Sequence, residues 1–325
     1  MSAKKLLYLS KRDLEDIALP MNEIVAALEQ VFREKGRGEV EMPPKPGIHP
    51  QEDSSIRAML AYIPSLKTAG VKWISGYGRN YIAGLPNING LIILNDPKTG
   101  VPKAIMDCTW ITAMRTGAAT AVAAKYLAKK DSKTLGIIAC GRLGRTNVRA
   151  LLNTFKLERV YAYDIDFQRA KIFAKEVQEW CPAEVIPVRT VKRAVEELDI
   201  VVTSGPIVDK PEPPIKAAWL KPGSFGCALD FDASFEPKAF SQAQLLVTDD
   251  IPQFEYFRGT GYFKQTPEPH LDLGKLVAEP KRRRRNPATR TLSIQLGIGI
   301  LDIAVGKLVY DRALEMDDIG TELPF

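Results

Sequence analysis

One segment of the sequence has the residue types and spacing to bind a dinucleotide. Ala139, Gly141 and Gly144 occupy the three glycine positions of a G-x-G-x-x-G fingerprint, directly after an apolar run at 135–139. Such a loop needs a tight turn, a bare backbone beside a pyrophosphate, and a helix packed closely on a strand. Gly141 and Gly144 meet the second and third needs, whereas Ala139 replaces the first glycine. Taken alone, this pattern fits an ordinary strand-to-helix turn as well as it fits a nucleotide site.

An acidic residue downstream favours the nucleotide interpretation. Asp164 lies 23 residues beyond Gly141, at the end of the next apolar run. A carboxylate there can accept hydrogen bonds from both ribose hydroxyls of NAD and would repel the extra phosphate of NADP. The alternative is that Asp164 only caps the next helix. We therefore predict NAD rather than NADP as cofactor, with binding residues Gly141, Arg142, Leu143, Gly144, Asp164 and Thr203.

The elements around this loop alternate between apolar strands and helices. Strands are predicted at 135–139, 159–163, 185–188, 200–203, 224–229 and 245–247, with helices at 147–155, 167–180 and 191–198. Strands separated by helices pair in parallel, so this half of the chain is predicted to be an α/β, Rossmann-type doubly wound sheet.

The N-terminal part has a different pattern. Ser10 and Asp13 resemble a capping box that opens a helix ending near Gly36 and Gly38, and short strands and an alanine-rich helix at 110–127 follow. This predicts a mixed α+β domain. The apolar segment 291–314 is predicted to be a helix that returns to it. The predicted domains are thus 1–128 with 291–325, which is discontinuous, and 129–290.

Composition excludes several classes of protein. The 325 residues are 45% hydrophobic and 26% charged, which argues against a largely disordered chain. Neither an apolar run of about 18 residues nor a signal-peptide core is found, so we expect a cytoplasmic protein that does not contact membranes. The basic run 281–285 lacks interleaved aromatic residues and is predicted to be a solvated loop, not a nucleic-acid site. Four scattered cysteines and two histidines suggest neither a disulfide framework nor a metal site.

A series of sequence blocks resembles the ornithine cyclodeaminase/mu-crystallin family over nearly the whole chain. The blocks are Gly70-Val71-Lys72, Gly84-Leu85-Pro86, Asp96 to Gly100, Met106-Asp107, Ile111 to Ala118, Ala123 to Leu127, and a last helix with Gly297 and Asp302. The resemblance implies a homodimer in which a Rossmann domain stands beside a mixed domain that joins the partner subunit. It also implies oxidation or reduction of the carbon–nitrogen bond at the α-carbon of amino acids.

The resemblance further implies roles for individual residues. Lys72 matches the family's active-site lysine, Arg115 the arginine that holds the substrate carboxylate, and Asp232 the acidic residue of the site. Lys45 stands where many members carry a carboxylate-binding arginine. Thr116 and Gly297 are expected to contact the cofactor.

Two positions depart from the family pattern. Arg57 stands near the place of the glutamate that handles the side-chain amine in cyclodeaminases, and Asp230 stands where the family usually has glycine. An arginine repels an ammonium group and attracts an anion, which argues against ornithine as substrate.

Three functions are compatible with this sequence. The first is an NAD-dependent oxidoreductase, an amino-acid dehydrogenase or imine reductase, whose partner is a small amino or imino acid. The second is an ornithine-type cyclodeaminase that releases ammonia and recycles NAD internally. The third is a mu-crystallin-like ligand-binding protein.

Overall fold

A computed structural model of the chain describes residues 5–52, 54–208, 211–279 and 286–324, and divides it into two compact units. Met1–Arg115 with Gly297–Phe325 form the first unit, and Thr116–Leu296 form the second. The sequence-based division differs by placing residues 116–128 and 291–296 with the first domain. As an assignment of functional domains, that division stays a prediction.

The first unit contains a mixed sheet of seven strands. They are β1 (Lys5–Leu9), β2 (Gly47–Ile48), β3 (Ser54–Ile63), β4 (Thr68–Tyr77), β5 (Ile88–Asn95), β6 (Pro102–Asp107) and β15 (Thr321–Pro324). Their order across the sheet is β15-β1-β6-β5-β4-β3-β2. Strand β1 pairs in parallel with β6, while the remaining pairs of this sheet are antiparallel. Strand β4 is therefore an interior strand, and on its covered face Thr68 and Lys72 are buried.

The helices of the first unit are α1 (Lys11–Ile17), α2 (Met21–Arg37), α9 (Gly299–Leu314) and the first part of α3 (Thr109–Leu127). The capping box is confirmed, because the Ser10 side chain accepts from the Asp13 amide and the Asp13 carboxylate accepts from the Ser10 amide. The prediction of one continuous helix up to Gly36 is wrong. Ala18 adopts a left-handed conformation (φ 45°) that ends α1, and Pro20 precedes α2.

The second unit is built on a parallel sheet of eight strands. They are β7 (Thr134–Ile138), β8 (Arg159–Tyr163), β9 (Glu184–Pro187), β10 (Ile200–Thr203), β11 (Phe225–Ala228), β12 (Leu245–Thr248), β13 (Leu271–Asp272) and β14 (Thr291–Ile294). The helices are α4 (Arg142–Leu152), α5 (Phe167–Gln178), α6 (Pro237–Ser241), α7 (Ile251–Gly259) and α8 (Leu273–Ala278). The strand order is β13-β12-β14-β11-β10-β7-β8-β9.

This order confirms the predicted fold class. From β7 the chain builds outward through β8 and β9, then returns to β10 on the other side of β7. Ligands of doubly wound sheets bind where the order reverses, outside the carboxyl ends of the strands. Here the order reverses between β7 and β10. The glycine loop follows the carboxyl end of β7, and Thr203 is the last residue of β10.

Two predicted elements are wrong. Residues 291–294 form β14, which lies between β11 and β12, and the final helix begins only at Gly299. In the predominantly apolar segment 291–314, this short strand was not separated from the helix that follows it. The helix predicted at 191–198 is a single 3-10 turn, Lys192–Ala194.

None of the helices in the described part of the chain combines the length and the apolar character that a membrane span requires. The basic run 281–285, predicted to be a solvated loop, lies outside the described residues.

Candidate active site

Lys72 is the charged member of a buried, otherwise apolar row that crosses the sheet of the first unit. Strand pairing places Met59, Lys72, Ile92 and Met106 side by side on β3, β4, β5 and β6. Directly opposed residues of antiparallel strands point to the same face. All four side chains are buried, and that of Lys72 is 0% exposed. Lys72 is therefore an interior residue of the sheet and not a surface lysine at its edge.

A single carboxylate holds Lys72 and Arg115 together. Oδ1 of Asp302 lies 2.7 Å from Nζ of Lys72 and accepts a 2.9 Å hydrogen bond from Nε of Arg115. Asp302 is fully buried in the first turn of α9, where the positive end of the helix dipole favours a negative charge. Its second oxygen, Oδ2, is buried and has no hydrogen-bond partner among the described residues. Arg115 thus pairs with a buried carboxylate and not with a surface acid.

This environment changes the acidity of the Lys72 ammonium. Burial lowers the pKa of Lys72 to about 8, an effect that Asp302 opposes and Arg115 reinforces. Because an amine with a pKa near 8 exchanges protons readily around neutral pH, Lys72 can act as a general acid or base. Cys108 lies nearby, and burial raises the pKa of its thiol to about 11, so it stays protonated.

The guanidinium of Arg115 rests against the backbone of Gly297. A Cβ atom at Gly297 would lie 2.9 Å from Nη1 and 3.1 Å from Nη2 of Arg115, and Gly297 adopts a left-handed φ of 76°. Lys45, which is buried, donates a 3.0 Å hydrogen bond from Nζ to the Gly297 carbonyl. The bond to Asp302 uses Nε and leaves the two Nη groups of Arg115, whose planar pair matches a carboxylate. Lys45, Lys72 and Arg115 are therefore brought together, and Gly297 supports Arg115.

Arg57 lies on the same face of this sheet as Lys72. It is two residues from Met59 along β3, and residues two apart in a strand share a face. Its side chain runs over β2, with Cγ 3.0 Å from the position that a Cβ of Gly47 would take. Arg57 thus places a cation on the sheet face of Lys72, two residues along β3 from the row that contains it.

In the second unit, the glycine loop has the backbone that a pyrophosphate requires. Ala139 adopts a φ of 76°, the left-handed conformation for which the fingerprint uses its first glycine. A Cβ at Gly141 would meet nothing within 4 Å, whereas one at Gly144 would lie 2.9 Å from the Ala139 carbonyl oxygen and 3.1 Å from Phe173. Gly141 therefore leaves open space beside the loop, and Gly144 permits close packing of α4. These are the requirements stated for the second and third glycines.

The N-terminus of α4 is available for an anion. Gly141 caps the helix without a side-chain hydrogen bond, and Arg142 and Leu143 open its first turn. Unpaired amides at a helix N-terminus bind phosphate groups. Arg145 instead braces the loop, since it donates to the carbonyl groups of Cys140 and Gly141 and pairs with Glu176. Gly141, Arg142, Leu143 and Gly144 thus fit the pyrophosphate of a dinucleotide.

Asp164 connects the loop to the end of β8. Its Oδ2 accepts a 2.9 Å hydrogen bond from the Cys140 amide, and its Oδ1 accepts from the Asp166 amide at 3.1 Å. The cap of α5 is Asp166, whose side chain accepts from the Gln168 amide. The alternative that Asp164 is the helix cap is therefore wrong, and its half-buried carboxylate keeps lone pairs for ribose hydroxyls.

Two carboxylates follow β11 in very different surroundings. Asp230 is fully buried and accepts from the hydroxyls of Thr203 and Ser234, each at 2.6 Å, and from the Gly205 amide at 3.0 Å. Burial raises the pKa of Asp230, and these hydrogen bonds oppose the rise. Asp232 is half-exposed and accepts from the Phe263 amide at 2.8 Å. Asp230 therefore holds the end of β10 at Thr203 and the following Gly205, and Asp232 is the more exposed of the two carboxylates.

Thr116 lies at the start of the second unit, in α3. Its carbonyl accepts from the Thr120 hydroxyl, and its neighbour Gly117 packs directly on α4, where a Cβ would lie 2.5 Å from the Thr146 carbonyl oxygen. The structure thus sets Thr116 beside the helix that begins at the glycine loop.

The contacts of Asp302 with Lys72 and Arg115 were not predicted from the sequence. Its signal is a single acidic residue inside the apolar segment 298–306, at a position that forms the first turn of α9. A charge retained in such a segment needs a partner or a function. Sequence alone does not show which cations it meets, because Lys72 and Arg115 are far away along the chain.

Comparison with known proteins decides the family. The sequence model of the ornithine cyclodeaminase/mu-crystallin family matches residues 8–317 of the chain. The chain belongs to this family. It is 32% identical to an alanine dehydrogenase of Archaeoglobus fulgidus, over 98% of both proteins.

Two solved structures of family members resemble the chain closely. One is the Delta(1)-pyrroline-2-carboxylate reductase of Thermococcus litoralis in complex with NADH and L-proline, with 33% identity and a TM-score of 0.88, covering 98% of this chain and all of that one. The other is an archaeal alanine dehydrogenase dimer with bound NAD, with 31% identity and a TM-score of 0.86, covering 99% of each chain.

Proposed function

We propose that the protein is an NAD-dependent oxidoreductase that acts on the carbon–nitrogen bond of an amino or imino acid. The observation that carries this proposal is the placement of the Lys72 amine and the Arg115 guanidinium on one buried carboxylate oxygen. The relatives, an alanine dehydrogenase and a pyrroline-2-carboxylate reductase, bear out the predicted reaction class and the prediction of NAD.

Arg115 is proposed to bind the α-carboxylate of the substrate. Its Nε is fixed by Asp302, so the guanidinium plane is held before substrate arrives and little freedom is lost on binding. The two Nη groups can then make parallel hydrogen bonds to a carboxylate. Lys45, anchored on the carbonyl of Gly297, adds a second positive charge to the same region.

Lys72 is proposed to move the proton on the substrate nitrogen. NAD, when bound, takes up or returns the hydride of the α-carbon. In the oxidative direction, neutral Lys72 accepts a proton from the substrate ammonium, so that the amine lone pair can form the carbon–nitrogen double bond as hydride leaves. In the reductive direction, protonated Lys72 returns that proton to nitrogen. A pKa near 8 makes both forms accessible.

The second unit is proposed to hold NAD. Gly141, Arg142, Leu143 and Gly144 would contact the pyrophosphate, and Asp164 would accept from the ribose hydroxyls. The same carboxylate would repel the 2′-phosphate of NADP. Cofactor contacts of Thr116, Thr203 and Gly297, and a role of Asp232 at the substrate nitrogen, stay predictions from the family resemblance.

We also propose that the protein is a homodimer, as one of its relatives is. On the sheet face opposite Lys72, Leu60, Trp73 and Leu91 are 45%, 47% and 41% exposed, and Trp73 lies directly opposite Leu91. A contiguous apolar surface of this kind favours burial against a second copy. Light scattering should give twice the chain mass of 36.0 kDa, and Trp73→Asp should shift it towards the monomer. The cytoplasmic location also stays a prediction.

The function is tested by following NADH and ammonia together. The enzyme is offered Δ1-pyrroline-2-carboxylate, or 2-oxo acids with ammonia, plus NADH, and in the other direction L-proline or L-alanine plus NAD. Net change of NADH with turnover, and a preference for NADH over NADPH, is the expected result. Ammonia release from ornithine without net change of NADH would instead identify a cyclodeaminase. Nucleotide binding without turnover of any compound would identify a mu-crystallin-like binding protein.

A further inference from the structure

We propose that Asp302 is a positioning residue of this reaction, which holds the Lys72 amine and the Arg115 guanidinium at a fixed separation and keeps Lys72 charged within its buried site. The inference rests on the proposed function. Asp302, which lies on the final helix, would influence the reaction only through Lys72 and Arg115.

The geometry restricts both cations at once. Because the same Oδ1 atom contacts Nζ of Lys72 at 2.7 Å and Nε of Arg115 at 2.9 Å, the two nitrogens lie within 5.6 Å of each other, the sum of these distances. Two positive charges this close repel each other, and a carboxylate between them offsets that repulsion. Asp302 thus determines how far the carboxylate-binding group stands from the proton-transferring group.

The surroundings of Asp302 do not resemble those of a residue kept for stability. It is completely buried, and its Oδ2 has no hydrogen-bond partner in the described part of the chain. A buried oxygen without a partner destabilises a protein, and apolar replacements of buried ion pairs are often neutral or stabilising. A carboxylate at this position is therefore better explained by what it does to Lys72 and Arg115.

The groups that face the Lys72 amine come from different parts of the first unit. Asp302 approaches from α9, Arg115 and the Thr112 hydroxyl from α3, and Cys108 from the residue before α3. Of these, Asp302 is the principal group that favours the charged amine, while burial and Arg115 disfavour it. Removing the charge of Asp302 must therefore lower the pKa of Lys72.

The experiment compares the pH dependence of kcat in the wild type and in Asp302→Asn. An opposite charge at hydrogen-bond distance typically shifts a pKa by about 1–3 units, so the midpoint attributed to Lys72 should move to lower pH by that amount. The midpoint moves to lower pH whether the protonated or the neutral form of Lys72 is the active one. We also expect kcat/KM for the carboxylate substrate to fall, because a neutral amide oxygen holds Arg115 more weakly than a carboxylate does. Asp311→Asn is the matched control, since Asp311 lies on the same helix and pairs with Lys307 at its surface.

A folded Asp302→Asn enzyme with an unchanged midpoint would overturn the inference. If that variant does not fold, Asp302→Glu answers the question. It keeps the charge but moves it by one methylene, so the midpoint should stay within about half a unit of the wild type while kcat falls, and a wild-type kcat would contradict the positioning role. Failure of the proposed function is distinguishable, because the wild type would then show no turnover.

Discussion

Substitution of Gly297 by alanine tests how the carboxylate-binding arginine is held. Gly297 has a φ of 76°, and the added methyl would lie 2.9 Å and 3.1 Å from the two Nη atoms of Arg115. The methyl cannot be accommodated unless the guanidinium moves. We therefore expect Gly297→Ala to impair substrate binding without touching the substrate itself.

The expected size of the effect has two parts. A left-handed conformation costs a non-glycine residue roughly 1–2 kcal/mol, which should appear as lost free energy of unfolding. Displacing the guanidinium should weaken one charge-assisted hydrogen bond to the carboxylate, worth about 1.5–3 kcal/mol. Since about 1.4 kcal/mol is tenfold, kcat/KM should fall by about 10- to 150-fold, mainly through KM.

The assay is steady-state kinetics with varied amino or imino acid, together with urea unfolding. Gly306→Ala is the matched control, because a Cβ at Gly306 in α9 would make only ordinary contacts at 3.5–3.6 Å, and its φ is not left-handed. It should leave KM unchanged and, by replacing a helical glycine, add about 0.5–1 kcal/mol of stability. If Gly297→Ala had the wild-type KM, the proposed packing of the Arg115 guanidinium against Gly297 would be refuted.

Three further predictions concern the nucleotide loop and the buried lysine. Ala139→Gly should raise the free energy of unfolding by up to about 1 kcal/mol, because relief of the left-handed strain outweighs the greater freedom of the unfolded chain; unchanged or lower stability in urea would contradict this. Asp164→Ala should reduce the ratio of kcat/KM for NADH over NADPH by about tenfold, and an NADPH preference already present in the wild type would show the assignment to be wrong. The lowered pKa of Lys72 means that the unfolded chain binds more protons between about pH 8 and 10.5. The free energy of unfolding of the wild type relative to Lys72→Met should therefore rise with pH over that window, and a flat difference would contradict the lowered pKa.

Local pattern was sufficient to predict the parallel sheet of the second unit. Its strands are short apolar runs separated by helices. The first and last residues of the strands 159–163 and 200–203 could therefore be predicted correctly. The glycine loop was found because its physical requirements fix residue types at fixed spacing. That Ala139 takes the conformation of the missing glycine could not be predicted, since the sequence does not show which strain a fold tolerates.

The features that were not predicted depend on contacts between residues far apart in the sequence. Residues 291–294 form a strand because β11 and β12 flank them, and nothing in a segment of four residues specifies those neighbours. Similarly, family resemblance indicated Lys72 and Arg115 but not the carboxylate between them. That carboxylate, Asp302, is brought into contact only when α9 packs on the sheet.

The most direct test of the central claim is turnover by Lys72→Met, measured as the change of NADH absorbance beside a nucleotide titration. Lys103→Met is the control, because Lys103 lies in the same sheet and pairs with Asp96 near the surface. We predict that Lys72→Met loses about 10²- to 10⁴-fold in kcat, as expected for loss of a general acid–base, while its affinity for NADH is unchanged. A Lys72→Met enzyme that retains the wild-type kcat would contradict the account.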